Sequence, residues 1–143
     1  MSIERTRQTV DAYLDDLLSF GDFARHLTDD VVVTFMGTDR VIKGREAART
    51  TITFVHQQAF RSRITTTTIL YGEANAMLEA QFKGTHIAEF EGIPASQRQV
   101  DVPYAVAYDL RGDRISALRL YFPLELLMRQ IADASVPAAV VRA

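Results

Sequence analysis

Three observations predict an α+β fold for this chain. Helical periodicity is confined to residues 3–27, 44–58 and 124–131. Everything from residue 60 to residue 123 alternates or runs β-branched in the manner of strands. The turn signals inside that stretch (Gly72, residues 92–96, and Arg111-Gly112-Asp113) join one strand directly to the next, with no crossover helix between them. Such an order places helices on one side of a curved antiparallel meander. The 143 residues carry no repeat, linker or low-complexity tract, so residues 1–143 are expected to form one domain.

Residues 3–19 read as an amphipathic helix whose buried stripe is Val10, Tyr13, Leu14, Leu17 and Leu18, with Asp11, Asp15 and Asp16 outside. Gly21 ends it, and Asp22 is placed to cap a short helix over 23–27. His26 is expected at a solvated helix end, and Thr28-Asp29-Asp30 as a turn. Residues 31–36 form a strand, and Gly37-Thr38-Asp39 turns the chain into a short partner over 40–43. The helix over 44–58 aligns Ala48, Ile52, Val55, His56 and Ala59. Strands follow over 63–71, 76–90, 98–110 and 115–122, then a helix over 124–131 and a small-residue tail, 133–143, expected to cap a pocket or extend a subunit interface.

Composition narrows the function classes. Hydrophobic residues make up 48% and charged residues 24%, which excludes a disordered chain. Sixteen cationic against 18 acidic residues leave a net charge of -2, so no basic footprint points to nucleic acid. The lack of cysteine removes thiolate nucleophiles, disulfides and Cys-ligated metals. The three histidines are scattered without ligand spacing, so no metal site is expected. No apolar stretch approaches a membrane span, and the N-terminus has no apolar leader; a cytoplasmic protein is expected.

Strand parity then sorts the candidate residues. In 98–110, Val100, Val102, Tyr104, Val106, Tyr108 and Leu110 share the face toward the helices, with Asp101 opposite; Pro103 is a possible bulge point. In 76–90, Leu78, Ala80, Phe82 and His86 share the inner face. In 115–122, Ile115 turned inward carries Arg119 and Tyr121 inward with it, leaving Leu118, Leu120 and Phe122 as a second apolar face for a partner subunit.

The segment Gly84-Thr85-His86-Ile87-Ala88-Glu89-Phe90-Glu91-Gly92-Ile93-Pro94 resembles the G-T-H-x-G-E-F-x-G-I-P stretch of SnoaL-like polyketide cyclases, members of the nuclear-transport-factor-two-like superfamily. Gly112-Asp113-Arg114-Ile115, Leu120-Tyr121-Phe122, Gly21-Asp22-Phe23 and Lys43-Gly44-Arg45-Glu46-Ala47 also resemble superfamily elements, so the resemblance spans nearly the whole chain. It implies a cone-shaped α+β barrel, its curved antiparallel sheet wrapped around the N-terminal helices. It implies a homodimer, and chemistry on a hydrophobic polyketide-like small molecule without a cofactor. The sequence departs from the family pattern in the last strand: the acid/base Asp after the Tyr-Phe pair is replaced by Pro123, and a Glu-His pair earlier in that strand by Ala117-Leu118. Tyr13 keeps the eight-residue spacing to Gly21-Asp22 of a catalytic Tyr in steroid isomerase relatives, whose general-base Asp falls at Thr34 here.

His86 is the leading candidate for proton transfer, since imidazole gives or takes a proton near neutral pH. Arg119 is a candidate for holding a substrate oxygen, its alternative being a salt bridge to Asp101 or Asp39. Tyr121 and Tyr13 are hydroxyl donors to the reacting group, and His56, Phe82, Tyr104 and Tyr108 are candidate substrate-binding residues. The expected function is ring closure in a polyketide intermediate, by positioning and carbonyl polarisation. A non-catalytic binding domain is the second reading; an epoxide hydrolase or isomerase using Asp39 or Asp101 is the third.

Overall fold

A computed structural model describes residues 2–132. Among them the chain forms three α-helices and a six-stranded, strongly curved sheet that does not close. Helix α1 (Ile3–Leu18) starts where the Ser2 side chain accepts the Arg5 N–H, satisfying one orphan donor of the first turn. A 3₁₀ turn (Phe23–His26) leads into strands β1 (Leu27–Phe35) and β2 (Val41–Lys43). Helix α2 (Arg45–Thr53) runs directly into a π-helical turn (Phe54–Ala59). Strands β3 (Phe60–Tyr71), β4 (Asn75–His86), β5 (Gln99–Arg111) and β6 (Arg114–Tyr121) then lead to helix α3 (Leu124–Ala132). The expected role of the tail 133–143 lies outside the described residues.

The spatial order is β2-β1-β6-β5-β4-β3. The run from β3 to β6 is the expected antiparallel meander, but β1 joins it parallel to β6. Hairpin signals cannot announce a parallel pair, because its two strands are joined through the rest of the fold. The helices lie on the concave face, where α1 meets β3, β4 and β6 and α2 meets β1. One buried cluster joins α1, β1 and the middle of the sheet around Val10, Tyr13, Leu27, Val33, Leu78 and Tyr108. A second joins the π turn, the far ends of β4 and β5, and α3 around Phe60, Phe82, Val102 and Leu127.

Several sequence expectations change. Thr28, Asp29 and Asp30 belong to β1, where the pairing with β6 slips between Leu27 and Val32 and absorbs the turn-like residues as a strand irregularity. Asp22 caps nothing with its side chain and instead takes Arg49 at 2.6 Å. His26 is no solvated end: it bonds Asp16 at 2.7 Å, half-buried. Pro103 makes no bulge, since β4 and β5 pair without a slip past Gln81 and Pro103.

The change with most consequence is in β6. Leu110 pairs with Ile115 but Asp109 pairs with Ala117, so one β6 residue, Ser116, is extra. A single extra residue reverses the alternation beyond it. Ile115 points inward as expected, yet Leu118, Leu120 and Phe122 then point inward too. Arg119 and Tyr121 are turned to the convex face, where Arg119 forks onto the Asp109 carboxylate at 2.6 and 3.1 Å and Tyr121 is 44% exposed.

Candidate active site

A cavity of about 410 Å³ opens on the concave side between the sheet, α1 and the π turn. That volume suits a small organic ligand. Its walls are mostly apolar side chains: Leu14 and Leu17 from α1, Val33 and Phe35 from β1, and Leu118, Leu120 and Phe122 from β6. The β6 residues are there because of the extra residue at 116. The leucines and phenylalanine expected on a subunit face therefore form the cavity wall.

Polar groups reach the cavity at three levels. Tyr13, Tyr104 and Tyr108 line its interior, and none of their hydroxyls has a hydrogen-bond partner among the described residues. Tyr13 meets Tyr108 edge to face, ring centres 6.0 Å apart. Burial raises the pKa of all three phenols, and proximity to Tyr104 raises those of Tyr13 and Tyr108 further. All three therefore stay protonated at neutral pH: they are O–H donors held where water is scarce, suited to a carbonyl or an oxyanion.

His56 also lines the cavity wall. It comes from the π turn, whose extra residue per turn re-aims the side chains that follow it. Its Nδ1 lies 2.9 Å from the Ile52 carbonyl, which can only accept, so Nδ1 carries the proton and Nε2 keeps its lone pair. The ring meets Phe82 edge to face at 5.9 Å. Burial lowers the pKa below the ordinary 6.5, opposed in part by the Ile52 carbonyl. His56 is thus a neutral base at neutral pH, lining an apolar cavity.

The mouth carries Thr38, Asp39, Arg40 and Glu91. Arg40, from the turn into β2, grips Glu91, from the loop after β4, through two bonds of 3.2 and 3.3 Å. Phe54 stacks on Phe90 beside them at 6.4 Å. Sequence reading singled out neither pair, because the partners are far apart in the chain and meet only across the rim.

Five of the eight predicted site residues meet in this cavity: Tyr13, His56, Phe82, Tyr104 and Tyr108. Three do not. Arg119 and Tyr121 lie on the opposite face of the sheet, for the reason given above; the Arg119 partner is Asp109, not Asp101 or Asp39. His86 does face inward but past the cavity, 0% exposed, with its ring 5.2 Å from Phe60. Its Nδ1 accepts the Ser96 amide N–H at 3.1 Å and meets the Ser96 hydroxyl at 2.9 Å, and burial lowers its pKa. It ties a loop to β4. Asp101 is also outside the cavity; its backbone is held by the Gln130 side chain. Pro123, where the family pattern has an acid, precedes the first turn of α3, a place that lacks nothing when the N–H is missing. Among the described residues no cluster of three His, Cys, Asp or Glu could hold a metal, and no helix is long and apolar enough to cross a membrane.

The family description that matches the sequence is "SnoaL-like polyketide cyclase", over residues 5–131. No curated protein matches it. Solved structures share the fold. A candidate SnoaL-like polyketide cyclase from Jannaschia sp. CCS1 superposes with a TM-score of 0.82 at 20% identity, covering 91% of this chain and 93% of that one. A candidate polyketide cyclase from Xanthomonas campestris pv. campestris gives 0.81 at 17%, covering 90% and 98%. A candidate hydroxylase from Streptomyces galilaeus gives 0.78 at 13%, covering 95% and 100%. One architecture therefore carries differently described activities, and the reaction has to be argued from the site.

Proposed function

Because the chain belongs to the SnoaL-like polyketide cyclase family, we propose that it closes a ring in a carbonyl-rich, polyketide-like substrate held in the apolar cavity, with Tyr13, Tyr104 and Tyr108 polarising a substrate carbonyl and His56 moving the proton. The observation that carries this reading is the pairing of unpartnered tyrosine donors with a neutral imidazole in one enclosed apolar space. The apolar walls fold a flexible chain into a reactive shape, which supplies proximity. The hydroxyls lower the energy of an enolate or alkoxide oxygen. Nε2 of His56 takes the proton released beside that carbonyl and returns it to the new oxygen once the carbon–carbon bond has formed. No carboxylate is needed at Pro123.

The same reading has the molecule work as a homodimer through the convex face of the sheet, where Met77 and Tyr121 are exposed.

The test is cyclisation of a poly-β-ketone or polyene substrate, followed by mass spectrometry. His56→Gln is expected to lower kcat by roughly 10²- to 10⁴-fold, the usual contribution of a general acid–base group. Tyr108→Phe is expected to lower it by roughly 10- to 10²-fold, somewhat less than a lost oxyanion-hole donor because two hydroxyls remain. Arg119→Ala is the control and should keep full activity. Wild-type activity in His56→Gln overturns proton transfer by that residue. Tight binding of the substrate without turnover favours a binding domain, and water-derived oxygen in the product favours hydrolysis, for which Asp39 is the carboxylate at the mouth.

A further inference from the structure

We propose that Ser62 and Gly84 are positioning residues: they hold the end of the π turn and thereby aim the His56 imidazole into the cavity. The inference rests on His56 being the proton-transfer group of the site.

The π turn ends one residue before β3 begins, so its last carbonyls have no helical N–H to accept. Ser62 of β3 and the two residues that follow β4 supply the missing donors. The Ser62 hydroxyl donates to the His56 carbonyl at 2.8 Å. The Ala59 carbonyl accepts the N–H of Ile87 at 2.9 Å and of Ala88 at 3.3 Å. At the other end of the same residue, the His56 ring is tied to the Ile52 carbonyl. His56 is therefore clamped twice, by its own Nδ1 and by the hydroxyl that holds its backbone. With both clamps made, Nε2 is the one ring nitrogen left for a substrate.

Ser62 can reach because β3 lies unusually close to β4 at this point. Ser62 pairs directly with Gly84. A Cβ at Gly84 would sit 2.6 Å from the Arg61 carbonyl oxygen and 2.9 Å from the Ser62 Cα, distances that backbone cannot accommodate without moving. Any side chain at position 84 therefore displaces the Arg61–Ser62 backbone from the seat in which the Ser62 hydroxyl meets the His56 carbonyl. Two residues on, His86 packs on Phe60, the first residue of β3, and anchors the loop through Ser96. The Gly84-Thr85-His86 segment, which in sequence looks like the catalytic centre, is on this account the buttress of a histidine 28 to 30 positions earlier in the chain.

The experiment follows the His56 side-chain resonances through a pH titration by NMR in wild type, Ser62→Ala, Ser62→Thr and Gly84→Ala, with kcat and KM measured on the same samples. The other titratable or charged groups of the cavity (Tyr13, Tyr104, Tyr108, Asp39, Arg40 and Glu91) are left unchanged by these substitutions. Ser62→Ala is expected to move the His56 titration up toward ordinary imidazole, as the ring swings toward solvent, and to lower kcat by roughly 10- to 100-fold with KM nearly constant. Ser62→Thr, which keeps the hydroxyl, is expected to restore both. Gly84→Ala should act in the same direction. If Ser62→Ala does not fold, Ser62→Cys keeps the size with a weaker donor and is read the same way. An unchanged His56 titration in a folded Ser62→Ala or Ser62→Cys protein overturns the proposal. A shifted titration together with a fully active His56→Gln variant upholds the positioning and removes the catalytic reading.

Discussion

Two histidines illustrate how little residue type says by itself. His56 and His86 are both inward, both aromatic-packed, and both held below ordinary imidazole pKa by burial. They differ in what the left-over Nε2 carries: with Nδ1 accepting from Ser96, the buried Nε2 of His86 holds the proton, whereas Nε2 of His56 keeps a lone pair. The Nδ1 of His86 is occupied by Ser96 and the ring faces the second core cluster, whereas Nε2 of His56 remains available at the cavity wall. A pH dependence follows. A neutral imidazole base gives a kcat/KM that rises with pH through a value below 6.5 and is flat above it. The stability effect has the same sign. Below pH 6.5 the unfolded chain binds more protons at these histidines than the folded one, so their contribution is complete above 6.5 and falls as the pH drops. Rate profiles and urea denaturation at pH 7.5 and 5.5 check both; a base acting from a carboxylate would instead shift the rate profile well into the acid range. Arg119, by contrast, forms a half-exposed pair with Asp109 on the convex face, outside the cavity, the kind that contributes about 0–1 kcal/mol and no chemistry.

Among the elements, the site depends on two irregularities and one docked helix. The extra β6 residue turns three apolar side chains into the cavity, and the π turn aims His56. Helix α3 closes one end with Leu124 and Leu127. It is held to the sheet by Gln130, whose side-chain amide accepts the Asp101 N–H at 2.9 Å and donates to the Asp101 carbonyl at 3.1 Å, as a further strand would. Truncating it leaves buried backbone groups unpaired. Gln130→Ala is accordingly expected to cost about 1–3 kcal/mol in chemical denaturation and to loosen substrate binding before it affects kcat. Unchanged stability would mean that α3 is docked by its leucines and Ile131 instead. The helix, strand and hairpin positions were legible in the sequence because periodicity and turn chemistry are local. The β6 slip and the π turn were not, because each is a one-residue shift that only the neighbouring element makes favourable.

For the whole molecule, the apolar content of the chain serves two packed clusters and a lined cavity, all on the concave side. The convex side is mixed: Met77 and Tyr121 stand among Ala105, Arg119 and Asp109. Leu118, Leu120 and Phe122, the original grounds for a partner subunit, face the cavity instead. The proposed homodimer therefore rests on the outer residues. Light scattering at working concentration is expected to give twice the chain mass, and Tyr121→Arg to shift it toward the monomer. A monomeric wild-type mass overturns it.

The sequence by itself determined the α+β class, the family resemblance, and the inward row of Phe82, Tyr104 and Tyr108, together with Tyr13 and His56. These follow from period-2 and period-3.6 patterns that burial enforces residue by residue. Only the tertiary structure decided which of the inward polar residues reach the cavity. The parity of β6 depends on how Ser116 is accommodated against Asp109. The role of His86 depends on Ser96 and Phe60, and that of His56 on Ser62, a strand away. Such contacts join positions with no periodic relation, so the pattern predicts a face of the sheet, while packing across elements selects the chemistry on it.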